Sequence, residues 1–128
     1  MRCLDSSFII DLVKGEAGAV ARARSLDDAR EKPSIAAPAL AEVLQGAYYK
    51  GGGILAKTLE LLASLDVLGT DERVAAEAGR IGAELLRRGA GVPTVDLLIA
   101  ATAKLHQQVL VTRDAAFQRI PDLAVETY

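Results

Sequence analysis

The sequence predicts an α/β protein, a three-layer α/β/α arrangement in which a short, mostly parallel sheet is covered by helices on both faces. Three observations predict it. Apolar runs of three or four residues alternate with longer segments of helical period. The spacing between them is too short for anything but right-handed crossovers between neighbouring parallel strands. The 128-residue chain is 51% hydrophobic but only 4% aromatic and has no Trp, which describes an aliphatic core of the kind that packs helices on a sheet. A chain of this length is expected to form a single domain, residues 1–128, and to bury about two-thirds of its unfolded surface without staples.

Taken in order, Arg2, Cys3 and Leu4 read as a first strand. Asp5, Ser6 and Ser7 end it and cap a helix through Phe8, Ile9, Leu12 and Val13, which Gly15 closes. Residues 16–32 form an amphipathic helix with Val20, Ala23 and Leu26 inward. Pro33 and Pro38 bracket a second strand, and Pro38 falls in the first turn of a helix whose core face is Leu40, Val43, Leu44, Ala47 and Tyr48, with Glu42 opposite. The glycine run 51–53 interrupts that pattern. Residues 54–65 then make a Leu-rich helix with more apolar surface than one face can bury, and residues 65–68 a short strand. Asp71 and Glu72 open a long helix that Arg87, Arg88 and Gly89 close, with charges matched to the macrodipole at both ends.

The stretch 92–114 organises the rest. Pro93 and Thr94 start a central, buried helix containing Val95, Leu97, Leu98, Ile99, Ala101 and Leu105. One stripe of it, Asp96, Ala100, Ala103, Lys104 and Gln107, is expected to line a cleft. Val109, Leu110 and Val111 form a strand ending in Thr112, Arg113 and Asp114. A helical turn near Phe117 precedes an edge strand at residues 123–125.

Ligands of an open parallel sheet gather beyond the carboxyl ends of its strands. Asp5 ends the first strand, Asp114 follows the 109–111 strand, Asp96 begins the central helix and Glu42 lies about one turn into the helix after the second strand. Singly, each has an ordinary explanation as a helix cap, a first-turn acid or a surface charge. Together they describe one acidic pocket. Crowded carboxylates repel and hold protons unless a cation sits among them, and an oxygen-only set suits Mg²⁺ or Mn²⁺. The chemistry implied is hydrolysis of a phosphodiester or phosphoryl bond by a water that the cation activates.

The pattern Leu4-Asp5-Ser6-Ser7, Ala41-Glu42-Val43, Pro93-Thr94-Val95-Asp96-Leu97-Leu98-Ile99-Ala100 and Thr112-Arg113-Asp114 with Phe117 resembles the PIN-domain ribonucleases, and among them the VapC-type toxins of toxin–antitoxin pairs. The resemblance spans essentially the whole chain with its motifs in register. It implies a Mg²⁺-dependent endoribonuclease in which Asp5, Glu42, Asp96 and Asp114 are the acidic metal-binding and catalytic residues, supported by Ser7 and Thr112. It also implies a cognate antitoxin and a homodimer, the latter expected independently from the surplus apolar surface of residues 54–65. Many relatives carry further Asn or Asp where this chain has Arg113-Asp114-Ala115-Ala116.

Composition and motifs narrow the other classes. Fifteen basic and seventeen acidic side chains give a net charge of −2, which excludes a broad basic surface as the handle on nucleic acid. RNA contacts are therefore expected to be local, at Arg113 beside Asp114 and at Lys50, Arg87 and Arg88. The lone Cys3 rules out a disulfide framework and a cysteine zinc site, and the lone His106 sits at a helix end. Asp5 and Asp11 interrupt the only apolar run resembling a signal peptide, and no stretch approaches the ~20 residues that span a bilayer, so a soluble cytoplasmic protein is expected. No phosphate-binding glycine loop is present. The alternative is a non-catalytic acidic-pocket module, a receiver-like signalling domain or a degenerate nuclease. A receiver would pair its acids with a Lys after a late strand, where this chain has Arg113, and a phosphatase with an Asp nucleophile would want an acid where Ser7 stands.

Overall fold

The computed structural model describes residues 1–128. Five strands form one sheet: β1 (Arg2–Leu4), β2 (Ser34–Ala36), β3 (Asp66–Leu68), β4 (Val109–Val111) and β5 (Val125–Glu126). Their order is β3-β2-β1-β4-β5 and every pairing is parallel, so the expected mostly parallel sheet is wholly so. Six helices cover it on both faces: α1 (Ser6–Lys14), α2 (Ala17–Asp28), α3 (Ala37–Lys50), α4 (Gly52–Leu62), α5 (Glu72–Arg87) and α6 (Thr94–Leu105). A 3₁₀ turn, Ala115–Arg119, follows β4. No helix is long and apolar enough to cross a membrane.

The centre of the sheet is β1, whose register pairs Arg2 with Val109, Cys3 with Leu110 and Leu4 with Val111 on one side and Cys3 with Ser34 on the other. Burial on both faces explains the aliphatic runs: Cys3, Ile35, Leu110 and Val111 have no exposed surface. One cluster of 25 buried residues joins this sheet to Phe8, Ile9, Val43, Ile81, Leu85, Ile99 and Phe117.

Local chemistry sets the helix boundaries. Gly15 ends α1 in the left-handed region at φ 80°, donating to the carbonyls of Asp11 and Leu12. Asp71 caps α5 by accepting from the Val74 N–H at 3.0 Å. Gly51 closes α3 and opens α4 with φ 64° and is followed by Gly52 at 57°, so the glycine run forms a sharp corner and α4 begins two residues before Ile54. Along α5, Gly82 lets α6 approach: a Cβ there would stand 2.8 Å from Leu97 Cδ1.

Several details differ from expectation. Tyr48 is 63% exposed, because the inward stripe of α3 is carried by Ala39, Val43 and Ala47. On α6, Ala100 and Ala103 are fully buried and Lys104 donates to Glu77 of α5 at 3.1 Å. Lys104 therefore faces α5 and the two alanines are sealed in the core, so of that stripe only Asp96 is left for a cleft, while Gln107 lies beyond the helix end and Val95 is outward. In α4 the apolar surplus is smaller than the sequence suggested, since Leu61 and Leu62 pack against the core. The last strand runs Val125–Glu126, where Val111 pairs with Glu126 and the Thr112 N–H donates to the Glu126 carbonyl at 3.0 Å, and the Glu126 side chain is held by Arg2 at 2.8 Å and Arg22 at 3.1 Å. Between α1, α2 and α4 lies a groove of about 700 Å³, lined by Leu12, Leu26 and Leu61 and rimmed by Arg30, Lys57 and Glu60.

Candidate active site

The sheet order reverses between β1 and β4: the chain builds outward from β1 through β2 to β3, then returns to β4 on the other side. Crevices at such switch points open beyond the carboxyl ends of the strands. Asp5 follows β1 directly and occupies the N-cap position of α1 in an extended conformation (φ −76°, ψ 159°), but its side chain makes no cap bond. The helix start is instead closed by its main-chain carbonyl, which accepts from the Phe8 N–H at 3.1 Å. The carboxylate is thereby left to the crevice.

Hydroxyls fix it there. Thr112, fully buried after β4, donates to Asp5 Oδ2 at 2.7 Å, and Ser7 donates to the same oxygen at 3.2 Å. The two hydroxyls lie 3.3 Å apart, and Thr112 Oγ1 also accepts the Asp114 N–H at 3.0 Å. One threonine thus ties the end of β1 to the end of β4. Burial pushes the Asp5 carboxyl above its ordinary range, the bonds from Thr112, Ser6 and Ser7 oppose that, and the Asp114 charge adds to the rise.

Three further carboxylates complete the group. Glu42, on the outer side of α3, accepts from Ser6 Oγ at 3.2 Å; partial burial and the nearby Asp5 push it up. Asp96, in the first turn of α6, is pushed to about 6 by partial burial and then by Asp114, Asp5 and Glu42 in that order. Its location at a helix N-terminus would by itself favour the ionised form, so burial and the like charges together prevail. Asp114 is exposed, and its Oδ1 accepts the Ala116 N–H at 2.9 Å, capping the 3₁₀ turn as its ordinary reading supposed. All four acids therefore meet at one edge, where Asp5, Glu42 and Asp96 each feel the charge of at least one of the others.

No three of them are arranged as a ready-made set of direct ligands around one ion. The donor set is nonetheless all oxygen, anionic and mutually repelling, which fits a hard divalent cation held partly through its own waters, the habit of Mg²⁺. Soft or nitrogen-preferring ions find no partner among these residues, since Cys3 is sealed in the core and His106 lies at the far end of α6.

The basic candidates are spread more widely. Arg113 stands beside Asp114 with its side chain 58% exposed, its Nε donating to Asp11 at 2.6 Å. Arg87 and Arg88 close α5, just ahead of the loop leading to Thr94 and Asp96, and Arg88 is paired with Glu84 at 2.7 Å. Lys50 lies at the far end of α3, about 12 Å along the helix from Glu42, and is not drawn into the acidic group. Sequence reasoning missed Ser6 and Asp11. The signal for Asp11 was an acid on the inward stripe of α1, a position that demands a partner.

The chain belongs to the PIN-domain family, whose model matches residues 2–123. Its likeness to the VapC-type toxins, drawn above from the motifs, is borne out by solved structures. The VapBC2 complex of Rickettsia felis, bound to a DNA fragment from its promoter, superposes with a TM-score of 0.86 at 23% identity, covering 99% of this chain and 98% of that one. FitAcB of Neisseria gonorrhoeae gives 0.83 at 28% identity, covering 98% and 96%. The DNA-bound VapBC of Salmonella typhimurium gives 0.80 at 27%, covering 98% and 96%. The first of these shows the fold alone. No curated protein matched the sequence.

Proposed function

We propose that this protein is a Mg²⁺-dependent endoribonuclease, with Mn²⁺ able to substitute, acting as the toxin of a type II toxin–antitoxin pair in the cytoplasm and folding as one domain over residues 1–128. The observation that carries the reading is the convergence of Asp5, Glu42, Asp96 and Asp114 at the switch point, where burial first and then mutual repulsion push the Asp96 carboxyl to about 6 in the absence of a counter-charge. A cation relieves it. The family match supports a nuclease, and complexes of toxins with antitoxins among the similar structures support the physiological role.

When bound, the ion supplies an activated water and neutralises charge on the phosphate. The chain's own residues do the rest. Asp5, Asp96, Glu42 and Asp114 hold the cation; Ser7 and Thr112 keep Asp5 oriented without spending its second oxygen. Arg113 receives the RNA backbone, with Arg87, Arg88 and Lys50 as outer phosphate contacts.

The partner is a cognate antitoxin. A helical segment of it packs its apolar face on the toxin, for which the groove between α1, α2 and α4 offers the surface, while an Arg approaches Asp5, Glu42 or Asp96 in place of the cation. A second copy of the chain completes a homodimer.

The deciding experiment is cleavage of single-stranded RNA by the purified protein with Mg²⁺, with excess chelator, and with Asp96→Asn. Cleavage should need the ion and fall by about a hundredfold or more in the variant, the range seen on losing a key electrostatic group. Undiminished cleavage in chelator, or by Asp96→Asn, defeats the reading.

A further inference from the structure

Asp11 is nearly buried, with 9% of its side chain exposed, yet it lies one and a half turns into α1 and takes no part in the acidic group. Two donors from distant parts of the chain converge on one of its oxygens, Oδ2: Arg113 Nε at 2.6 Å and the Tyr128 hydroxyl at 2.5 Å. The Tyr128 ring is itself fixed edge-on against the buried Phe8, with centroids 5.0 Å apart. Burial would raise the Asp11 carboxyl, but the Tyr128 and Arg113 bonds hold it below its ordinary range, so the anion persists. With the Arg113 side chain mostly in solvent, an ion pair of this kind adds little to stability alone.

The asymmetry of the contact is informative. Asp11 engages Arg113 through Nε, so the fork formed by the two terminal amino groups is not spent on the carboxylate. An unrestrained arginine on an exposed turn would lose much rotamer freedom on gripping a phosphate; one tethered through Nε has already lost it. Arg113 is also next to Asp114 and to Thr112, the residue that ties β4 to Asp5, so its tether is referenced to the same frame as the acids.

We propose that Asp11 and Tyr128 are positioning residues for Arg113, clamping its inner edge so that its outer edge is presented to an RNA backbone phosphate beside the acidic pocket. The proposal rests on the nuclease reading given above and adds the device that sets where the strand lies.

A double-mutant cycle on the full chain tests it, with steady-state cleavage of a short single-stranded RNA in Mg²⁺ and thermal unfolding measured for each protein. Arg113→Ala should raise KM roughly tenfold, the loss expected for one charge-assisted contact, and leave kcat within about twofold. Asp11→Asn should raise KM by a smaller factor, roughly threefold, and Tyr128→Phe by less again. Asp11→Asn combined with Arg113→Ala should be no worse than Arg113→Ala alone. Ultraviolet titration gives an independent view of the clamp: burial first and the Asp11 anion second push the Tyr128 phenol to about 12, and Asp11→Asn should bring it down. If Asp11→Asn does not fold, Tyr128→Phe carries the same comparison with Arg113→Ala. Effects that add, or that fall on kcat with KM unchanged, mean the trio is only structural and overturn the proposal. If the wild-type protein cleaves no RNA with divalent ions, the nuclease reading fails and takes the proposal with it, whereas cleavage with an additive cycle removes the clamp alone.

Discussion

Thr112 is the residue on which the pocket depends most. Its hydroxyl donates to one carboxylate and accepts the N–H that begins the segment bearing another, and the side chain has no solvent contact. Thr112→Val keeps the shape and removes both bonds, leaving Asp5 short of a donor in a buried site. The expected loss is about 2 kcal/mol of unfolding free energy, read from urea midpoints, and Thr112→Ser should recover most of it. Asp96 behaves in the opposite sense. Its folded carboxyl titrates near 6 against an ordinary value of 3.8, so folding favours its protonated form. The stability this contributes is fully present below 3.8 and is lost as pH rises through about 6. In metal-free buffer, Asp96→Asn should therefore stabilise the protein at pH 7 by about 1 kcal/mol, the like-charge cost being discounted for solvent screening of a partly exposed group. The advantage should vanish by pH 4. Added Mg²⁺ should raise the Tm of the wild-type protein and not of the variant; a variant no more stable than the parent at pH 7 would contradict the repulsion account.

At the scale of elements, sequence patterns located every strand and helix to within a few residues, and the reasons for the offsets are particular. Glycines 51 and 52 begin α4 because their positive φ makes the corner, which apolar periodicity cannot register. Glu126 belongs to β5 through its backbone pairing with β4, and its carboxylate is met by Arg2 and Arg22, which no hydrophobic pattern announces. The four acids were legible because three sit at element boundaries that their neighbours define and Glu42 lies about one turn into α3, so topology brings them to one edge. Asp11, Arg113 and Tyr128 were not, since 102 and 117 residues separate the acid from its donors and only packing unites them. The α5 and α6 pairing offers a test of close approach. Gly79 has open space where a Cβ would stand, so Gly79→Ala should stabilise by about 0.5 to 1 kcal/mol through helix propensity. Gly82→Ala should forfeit that gain, because the new methyl must push Leu97, the neighbour of Asp96. Equal Tm gains for both would show that the helices are less tightly seated than described.

For the whole molecule, the exposed apolar surface decides the expected assembly. Tyr49 at 92%, Leu86 at 72%, Tyr48 at 63% and Val95 at 42% lie on α3, α5 and α6, where α6 packs against both of the others, whereas α4 exposes Leu59 at 42% and Ile54 at 38%. The dimer contact is therefore expected there and less on α4, where acids at Leu61 and Leu62 would disrupt the core. Light scattering should give twice the 13.5 kDa chain mass, and Tyr49→Asp with Leu86→Asp should halve it while the Tm is largely kept. A monomer mass at every concentration would remove the argument.

The central place of β1 has one more effect, on timing. Residues 2–4 are made before the other four strands, yet their partners on one side are residues 109–111, and the threonine that holds Asp5 comes directly afterwards. A growing chain on the ribosome cannot seat that strand fully until residues 109–112 have been translated and have left the exit tunnel. For an enzyme whose proposed target is RNA, this order of events means that a nascent chain still holding residues 109–114 in the exit tunnel carries no formed pocket beside the messenger and ribosome producing it.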